Sequence, residues 1–224
     1  MKYKALLVDA DDTLLDFQKT ELEALLPVLE KYNIPTTKEN IETYSRINLS
    51  YWKKLENKEL NHQEVIIQRW SEYFSLFNLE CDPFEINKDY FDLIKNGAHV
   101  VEDAIEFLNE CNKYMDVYII TNGSPQVQYN RLEKSGISKL VKHSFISLEI
   151  GYNKPNSKFF DYVFLKTGLK NTDCIVLGDS LSSDIQGAIN SNIDYVLFDR
   201  FDKHKDFKGK RITKLLDFFK KIEE

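Results

Sequence analysis

Cysteine, proline and glycine are all scarce in this chain, numbering 3, 5 and 8 among 224 residues. Cys81, Cys111 and Cys174 stand far apart, odd in number and without a CxxC pair or a neighbouring histidine. That pattern argues against a disulfide framework and a thiolate zinc site, and reads as free thiols in a reducing compartment. With no repeat and no low-complexity stretch, nothing in the chain reads as a linker or a solenoid. A basic excess is missing too: the formal net charge is -6, with lysines interspersed among acids, which argues against a nucleic-acid polymer as partner. No apolar run approaches the roughly 18 residues needed to span a bilayer, and the opening MKYKALLVDADD soon meets carboxylates. The expectation is a cytoplasmic protein with no membrane partner, a monomer or homodimer.

What is present is a globular composition, 42% hydrophobic and 29% charged, long enough for one core plus a small appended domain. Residues 4–8 form a short apolar run that ends in carboxylates, as a buried parallel strand does when it delivers polar residues to its C-terminal edge. The pattern returns at 117–120 before Thr121-Asn122-Gly123, at 174–177 before Gly178-Asp179-Ser180, and at 195–198 before Asp199. Helical periodicity fills 101–113, 125–135, 157–167 and 182–191, several of these opened by Ser, Asp or Pro. Alternating strand and helix predicts an α/β fold, a doubly wound parallel Rossmann-like sheet with its ligand site at the strands' C-terminal ends.

Residues 17–95 break the alternation. They read as consecutive helices at 18–32, 38–57, 62–77 and 84–94, with Pro27 expected to bend or break the first. The division expected is therefore a core of 1–16 and 96–224 with an inserted helical cap of 17–95. The cap would act as a lid hinged near Asp16-Phe17 and Asn96-Gly97, glycine absorbing the dihedral change.

Four elements carry chemistry. Asp9 and Asp11 in Asp9-Ala10-Asp11-Asp12-Thr13 leave a buried strand end into one small volume, which is costly without a divalent cation or a retained proton. Taken alone, such a tripeptide is as readily a pair of turn acids. Gly178-Asp179-Ser180-Leu181-Ser182-Ser183-Asp184 repeats the arrangement: Gly178 admits a close approach and Asp179 offers a hard oxygen ligand. Asp184 either complements the helix dipole or orients Lys154 or a metal-bound water. Thr121 with Asn122 presents a hydroxyl and amides at a helix N-terminus, a cradle for phosphate or an ordinary turn. Lys154, before a helix, is a fixed positive charge for the site or a solvated side chain.

Together, in this order, Asp9, Asp11 and Thr13, then Thr121, then Lys154, then Gly178, Asp179 and Asp184 resemble the haloacid dehalogenase superfamily, with the helical insertion similar to its C1 cap. The resemblance implies a magnesium-dependent phosphatase. Asp9 would be the nucleophile that forms an aspartyl phosphate, and Asp11 the general acid and base. Asp9, Asp179 and the Asp11 carbonyl would hold magnesium, while Thr121, Asn122 and Lys154 hold phosphate. Dehalogenases of the superfamily need neither metal nor a proton donor at the Asp11 position, so Asp11 favours phosphoryl transfer.

VDADDTLLDF, IITNGS and GDSLSSDIQGAIN are further similar to the YjjG-type pyrimidine 5′-nucleotidases, implying a small phosphorylated metabolite, a nucleoside monophosphate, as substrate. Asn153 before Lys154 departs from that branch, where small or basic residues are usual. Tyr44, Asn48 and Trp52 recur four residues apart on one helix face, so Asn48 and Trp52 are expected to read and stack a base. Arg69 would bind a carboxylate or ribose oxygen. Equally, these are cap core, a satisfied polar residue, and the partner of a cap glutamate. Phosphoglycolate or sugar-phosphate hydrolysis, a β-phosphoglucomutase-like mutase, and a non-enzymatic binding scaffold are the alternatives.

Overall fold

The computed structural model describes residues 2–223. Its centre is a six-stranded sheet in the order β3-β2-β1-β4-β5-β6, comprising β1 (Ala5–Val8), β2 (Asp116–Thr121), β3 (His143–Ile146), β4 (Cys174–Gly178), β5 (Asp194–Phe198) and β6 (Arg211–Ile212). Every pairing is parallel. Parallel strands are covered on both faces, which is why β1 and β4 are apolar without alternation and buried throughout. Alternate residues of β1 serve two cores: Leu6 and Val8 pack with Phe107 and Phe218, while Ala5 and Leu7 pack with Phe159, Phe160 and Val176. The doubly wound α/β sheet is the fold the sequence predicts.

The register builds the site. Val8 of β1 pairs with Ile119 of β2 and with Leu177 of β4. One residue further on, Asp9 lies between the ends of the two neighbouring strands, and its N–H donates to the Leu177 carbonyl at 2.9 Å. The order of strands reverses about β1, so the crevice beyond its C-terminal end is the expected ligand position in such a sheet.

β3 and β6 were not expected, because His-Ser-Phe-Ile and a two-residue strand carry no apolar run; they are the outermost strands of the sheet. The helix expected over 182–191 is instead a π-helical turn, Leu181–Ile185, followed by a short helix, Gln186–Asn190.

Cα packing divides the chain into two compact units, one reaching Asp16 and resuming at Ala98, the other Phe17–Gly97. The crossing segments on the sheet unit's side are tied together: Asp16 N–H donates to the His99 carbonyl at 2.9 Å, and Val101 N–H to that of Leu14 at 2.9 Å. The second unit is four helices, α1 (Phe17–Lys31), α2 (Lys38–Glu56), α3 (His62–Ser75) and α4 (Pro83–Ile94). α1 runs unbroken through Pro27, contrary to expectation. Pro27 is exposed, and burial of Ala24, Leu25, Val28 and Leu29 on either side of it holds both halves of the helix in line. Tyr44 is central to this unit's core, its ring 4.3 Å from that of Trp70 and 5.6 Å from that of Tyr90. Gly97 is needed for a close approach: a Cβ there would lie 2.2 Å from Cγ2 of Thr20. Among the described residues, no helix is long and apolar enough to cross a membrane.

Candidate active site

Lys154 is the hub of the sheet edge. Its side chain is 1% exposed, and the ammonium donates to Oδ1 of Asp9 at 2.7 Å, Oδ1 of Asp184 at 2.6 Å and the Ile120 carbonyl at 2.8 Å. Three donors meet three acceptors, so the group is saturated. Its peptide is also held: Asn122 Oδ1 accepts from Lys154 N–H, and Asn122 Nδ2 donates to the Lys154 carbonyl, both at 2.9 Å. Asn122 therefore spends its side chain on positioning Lys154, so that a place on phosphate would fall to its backbone N–H.

Asp184 reaches this point through the π turn. Its Oδ2 accepts from Ser180 N–H at 3.1 Å, and the Ser180 hydroxyl caps the turn by accepting from Ser183 N–H at 3.2 Å. A Cβ on Gly178 would lie 2.2 Å from Asp184 Oδ2. The approach that Gly178 admits is thus by a side chain rather than a backbone.

One oxygen from each of Asp9, Asp179 and Asp184 can be drawn within 4.8 Å of the others. Burial raises the Asp9 pKa, opposed by Lys154 and reinforced by Asp184 and Asp11. Burial and then Asp9 and Asp184 push Asp179 well above the usual carboxylate range. Burial draws the Lys154 ammonium down, but Asp184 and Asp9 outweigh it and hold it charged. Three converging carboxylates against one ammonium leave negative charge uncompensated. Hard oxygen donors in that state suit a divalent cation such as magnesium. The carboxylates that converge are those of Asp9, Asp179 and Asp184. Asp184 was not among the expected ligands, and Asp11, expected to ligate through its backbone carbonyl, turns its carboxylate elsewhere.

Asp11 turns to α6 (Pro125–Lys134), the helix that follows α5 (Ala104–Cys111) and β2 along the chain. Its Oδ1 accepts from Arg131 Nη1, and its Oδ2 from Gln128 Nε2 at 2.5 Å. Gln128 Nε2 also donates to Thr121 Oγ1 at 2.9 Å, which accepts from Gly123 N–H at 3.1 Å as well. With both of these contacts made to its oxygen, Thr121 keeps a hydroxyl hydrogen to donate. Sequence reasoning missed Gln128 and Arg131. The available signal was their place in the buried stripe of α6, with Val127 and Leu132. Thr13 is fully buried, and Asp12 takes a left-handed φ of 58° at the turn after the first carboxylates.

The three residues expected to read substrate lie on one another in the helical unit. Asn48 Oδ1 accepts from Arg69 Nη1 at 2.6 Å and from Trp52 Nε1 at 3.1 Å, and Asn48 Nδ2 donates to Glu21 Oε1 at 2.6 Å. Arg69 Nη2 donates to Asn87 Oδ1 at 2.8 Å. Asn48 and Arg69 are 3% and 1% exposed, and Trp52 is half-buried. Asn48 and Arg69 thus join a buried network with Glu21, whose pKa burial raises.

The chain is similar to several known proteins over most of its length. YfnB of Bacillus subtilis, a HAD-hydrolase, is 32% identical over 194 residues, 86% of this chain and 83% of that protein. A YfnB crystal structure bound to magnesium, described as revealing interdomain movement, superposes with a TM-score of 0.94 over 100% of both chains at 30% identity. The pyrimidine 5′-nucleotidase PynA of Streptococcus pneumoniae is 32% identical over 88% of this chain and 84% of its own. The pyrimidine 5′-nucleotidase YjjG of Escherichia coli is 28% identical over 86% and 84%. A profile of the haloacid dehalogenase-like hydrolase family matches residues 3–192. With that match spanning the acidic strand end, the lysine hub and the second acidic cluster, this chain belongs to the haloacid dehalogenase-like hydrolase family.

Proposed function

We propose that this protein is a magnesium-dependent phosphomonoester hydrolase that acts through an aspartyl phosphate, with a pyrimidine nucleoside 5′-monophosphate as substrate. The observation that carries the reaction type is the cluster of Asp9, Asp179 and Asp184, with the Lys154 ammonium on Asp9 and Asp184 and with Asp11 two residues beyond the nucleophile. Asp9 Oδ attacks phosphorus, forming an O–P bond as the ester P–O bond breaks. Asp11 gives its proton to the departing alkoxide, then takes one from the water that cleaves the acyl phosphate; such assistance is worth roughly 10² to 10⁴ in rate. Thr121 donates its hydroxyl to a phosphoryl oxygen, and Lys154 aims Asp9 and favours its ionised form against the burial that opposes it. Magnesium held by Asp9, Asp179, Asp184 and the Asp11 carbonyl would neutralise the phosphoryl oxygens.

The nucleotide assignment is supported by relatives named pyrimidine 5′-nucleotidases at 32% and 28% identity. Of Asn48, Trp52 and Arg69, Trp52 is the one that is half-buried rather than interior, and its ring is the one of the three that would stack on a base. The test is phosphate release from nucleoside monophosphates and sugar phosphates with magnesium, beside EDTA and Asp9→Asn controls. Preference for pyrimidine nucleotides supports the reading. Preference for sugar phosphates keeps the chemistry and removes the nucleotide, and no magnesium-dependent release from any ester removes both.

A further inference from the structure

The ion pair of Asp11 with Arg131 is unusual in its cost. The Arg131 side chain is 0% exposed while that of Asp11 is 30% exposed, and taking a guanidinium out of water costs stability that a partly solvated partner repays only in part. Gln128 beside it, 1% exposed, uses both amide hydrogens, one on Asp11 Oδ2 and one on Thr121 Oγ1. Its own carbonyl, Oε1, is buried with no hydrogen-bond partner among the described residues, an arrangement that lowers stability. The neighbouring turn is shaped around it: a Cβ on Gly123 would lie 2.3 Å from Gln128 Nε2. Gln128 and Arg131, three residues apart, share one face of α6. A helix face that buries a guanidinium and a half-satisfied amide beside a motif acid is built for that acid rather than for the core.

We propose that Gln128 and Arg131 are positioning residues that grip the two oxygens of Asp11, and that Gln128 ties its orientation to the hydroxyl of Thr121. The inference rests on the reading of Asp11 as the acid for the leaving group and of Thr121 as a phosphate ligand. One amide spans the two groups. When a phosphoryl oxygen draws on the Thr121 hydroxyl, the same Nε2 keeps Asp11 in register with it, so oxyanion binding and proton delivery are set by one side chain. Arg131 fixes the other oxygen and prevents rotation of the carboxylate about Cβ–Cγ.

The experiment uses the full-length enzyme with magnesium and two esters: an aryl phosphate whose nitrophenolate departs without a proton, and an alkyl phosphate such as a nucleoside 5′-monophosphate that needs one. Arg131→Lys, Arg131→Met, Gln128→Leu and Gln128→Glu are compared, each also in an Asp11→Asn background, with thermal melting and magnesium titration alongside. Expected are a fall in kcat/KM, which reports the step in which the leaving group departs and not the later hydrolysis shared by both esters, of about 10²-fold on the alkyl ester for Arg131→Met, the order of a 1 Å misplacement, a fall under about fivefold on the aryl ester, and partial recovery in Arg131→Lys. In the Asp11→Asn background none of the four substitutions should cost anything further. Magnesium affinity should stay as in the parent. Equal losses on the two esters, or full additivity with Asp11→Asn, would overturn the inference while leaving the hydrolase reading intact. If Arg131→Met does not fold, Gln128→Leu carries the same comparison. A parent enzyme that releases phosphate from neither ester would instead sink the underlying reading.

Discussion

Lys154 and Asp184 form an ion pair of 2.6 Å in which each side chain is 1% exposed. A pair so enclosed persists because the ammonium is shared, with Asp9 at 2.7 Å and the Ile120 carbonyl at 2.8 Å completing its donors. Removing it strands Asp9, Asp179 and Asp184 together. Lys154→Met should therefore lower stability by about 3–5 kcal/mol in EDTA, the usual cost of breaking a buried pair. Magnesium should restore more stability to the variant than it adds to the parent. Urea midpoints with and without magnesium measure this; an equal gain in the two proteins would show that the carboxylates do not repel one another through this site.

Gly178→Ala places a methyl group where Asp184 Oδ2 now lies, 2.2 Å from the new Cβ. Asp184 has to leave both Lys154 and the acidic cluster. The expected result is a loss of about 10²-fold or more in kcat/KM, with a weaker magnesium response. Gly168→Ala is the matched control: it strains a left-handed φ of +72° with nothing within 4 Å, so it should cost stability alone. Steady-state kinetics of both variants across magnesium concentrations decide the matter. Retained activity in Gly178→Ala would mean that Asp184 is dispensable.

Metal removal should expose a pH dependence with a defined sign. Burial, with Asp184 and Asp11 nearby, lifts Asp9 from 3.8 to about 8 despite Lys154, and Asp179 moves the same way. The folded state then holds more protons than the unfolded one between those values. Stability is greatest below the unfolded value and falls as pH rises towards 8. In EDTA the melting temperature should drop from pH 5 to pH 8. Saturating magnesium, which favours the ionised carboxylates, should flatten or reverse that slope. Parallel curves with and without metal would contradict the assignment of these carboxylates as ligands.

Much of this site was legible because strand ends announce themselves. Apolar runs that stop at Asp9, Thr121 and Asp179 locate three side chains at one sheet edge before any pairing is known, and the parallel register brings them together. Lys154 was legible only through its order in the motif, since a single lysine in a loop carries no burial signal. Gln128 and Arg131 were missed for a physical reason: polar residues in a buried helical stripe look like an imperfect apolar face unless their partners are known, and those partners lie more than a hundred residues away. The edge strands β3 and β6 were missed because short edge strands need little hydrophobicity. In the helical unit, the spacing of Tyr44, Asn48 and Trp52 gave one face correctly, but periodicity does not distinguish a face turned to ligand from one turned inward. Tyr44 and Asn48 prove to be interior, and Trp52 half-buried.

That inward network separates two meanings of a lost activity. Asn48 joins Glu21, Arg69 and Trp52 through one amide, so Asn48→Ala leaves a buried carboxylate and a buried guanidinium each short of a partner. Its expected cost is about 2–4 kcal/mol, from unsatisfied charged groups, and any fall in nucleotide turnover should track the fall in melting temperature. Trp52→Ala removes a half-buried ring edge-on to His62 at 5.6 Å and one hydrogen bond. Its stability cost should be nearer 1 kcal/mol, the scale of a single net hydrogen bond. If Trp52 stacks on the base, KM for pyrimidine nucleotides should rise roughly tenfold or more in Trp52→Ala, in keeping with about 1–3 kcal/mol per stacked base. KM for a small aryl phosphate should stay unchanged. Identical KM values for both substrates in Trp52→Ala and parent would assign Trp52 to packing and move the search for base recognition to other residues.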